Sequence, residues 1–387
     1  MRILFKIIIL FNLSVNLVTA QQDSVEVNFT YRVDTSKKEI KEVLNLWINY
    51  LKSRPDSTYD NPYWNEAEKE FYIDKIKMFD RSAFMIYNGN NANKVLTYYK
   101  PTVLSISPVE NKYLIRTLFY ADSLIETHKQ YRWNPPWITR VYAIVENGEW
   151  RLQNSIIQET KYWRQNNYKY INFISHPNHS FNPDLAEKSI RFCDSIVKEF
   201  NVKEVEPFDY YITTTEEEMG KLYNFDYWLS YHTGFTHVPI RQIVTARNNE
   251  YFPHEFIHLL FHIEEGNPRH IMVNEGLATY LGGTGENPFN IEIREFANEI
   301  YSNDTLTFND ILTKKYIHKY DNTPFYLTGA VICKLTYEKK GVKGIKQLLK
   351  CKPDDEMLYN LITELLGIKR EKIEHQIIEE IKKYFDK

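Results

Sequence analysis

The chemistry first visible in this chain sits in three residues within five positions. His254, Glu255 and His258 lie in the stretch Tyr251-Phe-Pro-His-Glu-Phe-Ile-His-Leu-Leu-Phe-His262. On a helix, residues four apart share a face, so the two imidazoles can hold one ion while the carboxylate between them turns toward the water that such an ion activates. This H-E-x-x-H spacing is what a zinc hydrolase requires. A site of that kind takes three protein ligands and keeps a fourth position open. His262 continues the same helical face, but one ion cannot reach three residues spread over two turns, which leaves it a packing or supporting role. Glu275 is the better third donor. Sixteen residues separate it from His258, among them the loop Gly266-Asn-Pro268, and it opens the helical stretch Asn-Glu-Gly-Leu-Ala-Thr-Tyr-Leu that stops at Gly282-Gly283. The competing role for Glu275 is an ordinary helix N-terminal carboxylate held by the helix dipole.

The pairing of H-E-x-x-H with Asn274-Glu275-Gly276-Leu277-Ala278 resembles the gluzincin metallopeptidases, whose third ligand lies within N-E-G-x-A on a second helix. The resemblance implies that His254, His258 and Glu275 ligate one zinc ion (Zn2+) and that Glu255 is the general base. The metzincin pattern would put Gly at position 261 and His at 264; Phe261 and Glu264 exclude it. Downstream, Tyr326 and Gly329 match the Tyr-x-x-Gly at the head of an apolar helix in the aminopeptidase branch, where the hydroxyl stabilises the tetrahedral intermediate. That branch also has a G-x-M-E-N segment whose Glu anchors a free amine. Arg241 to Asn249 contains none, so aminopeptidase specificity is not supported. The resemblance runs from about Tyr168 to the C-terminus, with its specific residues between His254 and Gly329. It implies zinc-dependent hydrolysis of a peptide or protein substrate. The alternatives are a gluzincin-type aminopeptidase and a non-catalytic binding or scaffold protein on a degenerate metallopeptidase fold. The strand expected to pair with an extended substrate is Arg241 to Thr245.

The elements that must position these residues predict an α+β chain. Ser36-Lys-Lys-Glu39 reads as a capping box for a helix to about Lys52, with Ile40, Val43, Leu44, Trp47, Ile48 and Leu51 on one face. A second helical stretch covers Glu66 to Met78. Period-two patterns follow at Val103 to Ile106, Lys112 to Tyr120 and Arg140 to Val145, the last joined through the Asn147-Gly148 turn to Trp150-Arg-Leu152. Helices followed by such a meander resemble the nuclear transport factor 2-like domain. Tyr162 to Asn167 has no clear period and is the expected boundary. Beyond it come a strand over Tyr168 to Ser175, a helix over Asp184 to Phe200 and a strand over Phe208 to Thr213. Three apolar helical patterns at Leu335 to Leu349, Leu358 to Leu366 and Ile373 to Phe385 form a C-terminal lobe. The expected organisation is a signal peptide over 1–20, an accessory domain over 21–165, a thermolysin-like or gluzincin catalytic domain over 166–302 and a helical lobe over 303–387. His176 and His179, in a turn-like stretch, read as surface polar residues, with metal binding as the alternative.

Composition bounds the rest. The 387 residues are 43% hydrophobic and 26% charged, ordinary for a folded chain of more than one domain, and the 29 Tyr and 22 Phe are a high aromatic load that argues against disorder but names no ligand. A net charge of −3 gives no electrostatic reason to expect nucleic acid or anionic membrane as a partner. Met1 to Ala20, with Arg2 and Lys6 flanking an apolar run and Val18-Thr19-Ala20 at its end, reads as a secretory signal, so the protein is expected to be exported to the periplasm or extracellular space without stable membrane insertion. Cys193, Cys333 and Cys351 allow at most one bridge, and Cys333 reads as a buried free thiol.

Overall fold

A computed structural model describes residues 26–53, 61–72, 96, 99–121, 136–202, 205–227, 233–262, 268–285, 287–302, 306–314 and 323–385. The expected signal segment, 1–20, the second half of the helix at Glu66 to Met78 and most of the Gly266 loop lie outside them. The fold is mixed α+β, built on two sheets.

The first sheet is curled into a half-barrel. Its strands β1 (Asn28–Phe29), β2 (Lys100–Val109), β3 (Lys112–Tyr120), β4 (Trp137–Glu146) and β5 (Glu149–Gln153) lie in that order, and all pairs after the first are antiparallel. The β4–β5 turn places Asn147 at φ 52° and Gly148 at φ 81°, the positive values that a tight hairpin demands. Helix α1 (Lys38–Lys52) lies on one face, where Val43, Trp47, Tyr50 and Leu51 pack with Trp64, Val103, Ile115, Val141 and Leu152. Its N-cap is Lys37 and has no side-chain cap; Ser36 instead donates to Asp34, so the expected capping box does not form. The short helices α2 (Glu66–Tyr72) and α3 (Ser155–Glu159) complete this region.

The second sheet runs β10 (Gly234–His237), β11 (Gln242–Thr245), β8 (Phe208–Ile212), β7 (Ile171–Ser175), β6 (Arg164–Tyr168). Its three central strands are parallel and covered on both faces, as parallel strands require. Phe173, Tyr210 and Ile243 face α4 (Pro183–Phe200) and the metal helix α6 (Pro253–Leu260), while Ile174, Tyr211 and Val244 face α5 (Glu216–Leu222). Within the stretch Tyr162 to Asn167, expected as a boundary, β6 begins at Arg164. This edge strand is largely exposed on both faces and so shows no alternation. The C-terminal helices α7 (Ile271–Gly282), α8 (Phe289–Ser302), α9 (Phe308–Leu312), α10 (Thr323–Leu348), α11 (Asp355–Leu366) and α12 (Ile373–Lys382) share one apolar core. The three cysteines are free and buried. Among the described residues no helix is long and apolar enough to cross a membrane.

The two sheets are stitched together by β9 (Phe225–Tyr227), which leaves α5 and pairs antiparallel with β4 of the first sheet. Arg116 and Arg140 stand directly opposite each other on β3 and β4, and Asp226 of β9 accepts from both, at 3.0 Å from Arg140 Nη1. Arg140 also meets Glu159 of α3 at 2.7 Å. Two facing guanidiniums are tolerable only with that carboxylate between them. Asp226→Ala is therefore expected to cost about 3 kcal/mol and to loosen the contact between the two sheets. A denaturant titration showing unchanged stability would refute this.

Candidate metal centre

Pro253 at the first position of α6 fixes its start, and His254, Glu255 and His258 all project from this eight-residue helix. Helix α7 supplies Glu275. Three donor atoms of His254, His258 and Glu275 lie within 4.8 Å of one another. His254 Nε2 is 3.2 Å from His258 Nε2, and Glu275 Oε2 is 3.4 Å and 3.3 Å from these two nitrogens. The expected donors are thus brought together from two helices. Two imidazole nitrogens and one carboxylate are the donor set that suits zinc.

The surrounding groups orient these donors. His254 Nδ1–H donates to the carbonyl of Gly283 at 2.8 Å, which leaves Nε2 as the lone-pair nitrogen facing Glu275. Gly282 is more than a stop signal, because a Cβ there would meet the His254 backbone nitrogen at 2.5 Å. The side-chain amide of Asn274 lies 3.2 Å from His258 Nδ1, and its oxygen accepts from Arg269 at 3.0 Å. Arg269 also donates to the carbonyls of Phe261 and Leu349, both at 3.1 Å, and so ties the ends of α6 and α10 to α7. Burial alone would lower the pKa of His258, but the Glu275 carboxylate beside it, helped by Glu255, holds it up at about 9. Burial likewise works to raise Glu275, and the two imidazoles outweigh it and hold the carboxyl well below its usual range.

Glu255 is buried, and Thr236 of β10 donates its hydroxyl to Oε2 at 2.6 Å. Gly234 makes this approach possible, since a Cβ there would collide with the Phe252 ring at 2.2 Å and with Glu255 Oε1 at 2.8 Å. Among the described residues β10 is one of the two edge strands of its sheet, the other being β6. The strand expected to accept a substrate, Arg241 to Thr245, is β11, whose two edges are already taken by β10 and β8. Of the two edges, β10 and β6, the one beside Glu255 is β10.

Tyr326 lies in the first turn of α10, and its ring stacks over that of His254 with centroids 6.1 Å apart and planes at 19°. The close crossing of α7 and α10 brings it there: a Cβ on Gly276 would lie 2.3 Å from the Gly329 carbonyl carbon, and one on Gly329 would lie 2.2 Å from the Met272 oxygen. Beside Tyr326, the ammonium of Lys314 sits 4.6 Å from the centroid of the Phe325 ring. Burial lowers its pKa against the opposing pull of Glu275.

His262 lies past the end of α6 and is exposed, so it neither packs nor supports the ligands. His179 is buried rather than on the surface. Its ring nitrogens meet Asn248 Oδ1 at 2.8 Å and Glu250 Oε1 at 2.6 Å, in the loop just ahead of α6. Burial pushes its pKa down, but the bonds to Glu250 and Asn248 prevail and the net shift is upward. A raised folded-state pKa stabilises the protein fully below the unfolded value of about 6.5 and ceases to do so as pH climbs through the folded value. The melting-temperature gap between wild type and His179→Gln is accordingly expected to be widest at acid pH, equivalent to about 2 kcal/mol, and to narrow as pH rises. A gap that widens with pH would contradict this.

Thr236 and Arg269 carried no signal in the sequence, and Gly283 was readable only as a helix end, because each contributes through a partner distant in the chain. No protein-family model matches the chain, and no curated protein matches it in sequence.

Proposed function

We propose that this protein is an exported zinc-dependent metallopeptidase of the gluzincin type, with a thermolysin-like arrangement of the second sheet and helical lobe. One observation carries the reading: His254, His258 and Glu275 converge on a point beside a buried Glu255 that is held toward the edge of a sheet. The curled sheet closed by α1 supports a nuclear transport factor 2-like fold for the first lobe, in an accessory role.

Bound zinc supplies the Lewis acidity that makes water a nucleophile near neutral pH and polarises the scissile carbonyl. Glu255 takes a proton from the attacking water and passes it to the leaving nitrogen, so that a carbon–oxygen bond forms as the carbon–nitrogen bond breaks. Thr236 fixes the Glu255 carboxylate by donating to Oε2, and Gly283 fixes His254 through Nδ1. The Tyr326 hydroxyl, on a ring stacked over His254, serves the developing oxyanion. The outer edge of β10 receives the substrate backbone by strand addition. Gly234, Phe235, Thr236 and His237 include no carboxylate to hold a free amine, so the aminopeptidase alternative lacks its anchor.

Metal analysis and a peptide-mixture digest test this directly. The purified protein is expected to carry one zinc and to cleave peptides, with cleavage abolished by a chelator and restored by zinc. Absence of bound metal, or cleavage indifferent to the chelator, would overturn the proposal.

A further inference from the structure

The edge of a β-sheet is a row of unpaired backbone donors and acceptors, a template for further chain unless something blunts it. On the first sheet β1 is two residues long, and β5 is covered by residues 63–65: Leu152 N donates to the Tyr63 carbonyl at 2.8 Å and Asn65 N to the Leu152 carbonyl at 3.0 Å. On the second sheet β10 lies beside Glu255. The remaining edge is β6, Arg164-Gln-Asn-Asn-Tyr168, at the opposite end of that sheet. It has the length of an ordinary strand, and its pairing with β7 runs without a bulge. It contains no proline or lysine, and Arg164, Gln165 and Asn167 are exposed. Among the described residues no backbone hydrogen bond reaches its outer side. Of the devices that protect an edge, β6 has only the single charge of Arg164, at one end.

A second copy of the same strand fits this edge. A two-fold axis sets two copies of one strand antiparallel. With the axis at the middle residue, Asn166 meets its own counterpart, Gln165 meets Asn167, and Arg164 meets Tyr168. Facing amides donate and accept in both directions, and no like charges stand opposite each other to oppose the pairing. Arg164 and Tyr168 share a face because side chains alternate along a strand. The Tyr168 ring is held on that face against Phe173 and Phe181, with centroids 6.0 and 5.5 Å away. Each guanidinium thus meets the Tyr168 ring of the other copy, a cation–π pair made twice. We propose that the β6 edge is the interface of a homodimer in which two copies of the second sheet join antiparallel about Asn166 into one continuous sheet. The strand order then puts both β10 strands at its outer ends, so the pairing covers neither of the edges beside Glu255. It asks nothing of the metal centre and stands or falls apart from the peptidase reading.

Sedimentation equilibrium of the purified full-length protein is expected to give twice the chain mass, with amide exchange over Arg164 to Tyr168 slowing as concentration rises. Asn166→Glu sets two carboxylates opposite each other and Asn166→Lys two ammoniums, and each alone is expected to raise the dimer dissociation constant about fivefold or more. Mixing the two variants restores the dimer, because Glu then faces Lys. Gln165→Lys combined with Asn167→Lys, both at exposed positions, sets lysine against lysine on the other face and weakens the dimer with the fold intact. A protein that sediments as a monomer at every concentration overturns the proposal. So does a dimer indifferent to these charges, or one that the Glu and Lys variants fail to re-form on mixing.

Discussion

Glu255→Gln is expected to retain one zinc per chain and to lose peptide hydrolysis by a factor of about 10² to 10⁴ or more. The ligands are untouched by the change, and glutamine fills the same volume and still accepts from Thr236, so the fold and the donor cluster persist. What disappears is the ability to take a proton. The two halves of the result matter jointly, because a protein that only bound metal for structural reasons would show the first without the second. Metal content by emission spectrometry and hydrolysis of a peptide mixture, measured on the same preparations, decide it. Unchanged hydrolysis in the variant would remove Glu255 from the chemistry.

The second large effect is expected at the helix crossing. In Gly329→Ala the added methyl must occupy space 2.2 Å from the Met272 carbonyl oxygen and 3.0 Å from the Gly276 α-carbon, both backbone atoms that cannot swing aside. Helices α7 and α10 must therefore separate. Overpacking of this kind costs about 1–3 kcal/mol, a fall in melting temperature of about 1–4 °C for a chain of this size. The functional loss is expected to exceed the loss of stability, because α7 carries Glu275 and α10 carries Tyr326, and any separation moves a metal ligand and the ring over His254 together. Thermal melts with and without zinc should show a lower midpoint and a smaller stabilisation by the metal. A variant that melts and binds zinc like wild type would mean that the crossing is not what holds these groups in place.

Much of the centre was legible because helical geometry converts spacing directly into proximity. His254 and His258 had to share a face, and Glu275 stood at the head of the next apolar stretch. The Asn147-Gly148 turn was equally plain, since its two positive φ values restrict which residues can occupy it. The edge strand β10 escaped notice for the opposite reason. Four residues with a glycine at the start have no period to display, and Thr236 matters only because Glu255, far along the chain, lies beside it. His179 sat in a stretch that looked like a surface turn, and its burial depends on Glu250, 71 residues away. Gly282 and Gly283 were readable as a helix end but not as the neighbours of His254, which is a tertiary relation. The parts that local pattern could not reveal are those made by chain segments meeting after long separations.

The return of β9 to the first sheet also sets an order of events during synthesis. Strand β4 ends at Glu146, yet its pairing with β9 waits until Tyr227 has been made, after the whole of α4 and most of the second sheet. Pairings of such long sequence separation are slow to form, because loop closure is paid before any contact is gained. Until Asp226 has been made, Arg116 and Arg140 face each other without the carboxylate that joins them, so the N-terminal lobe stays incomplete well after its own strands exist; for the exported protein proposed above, that would delay folding of this lobe during passage.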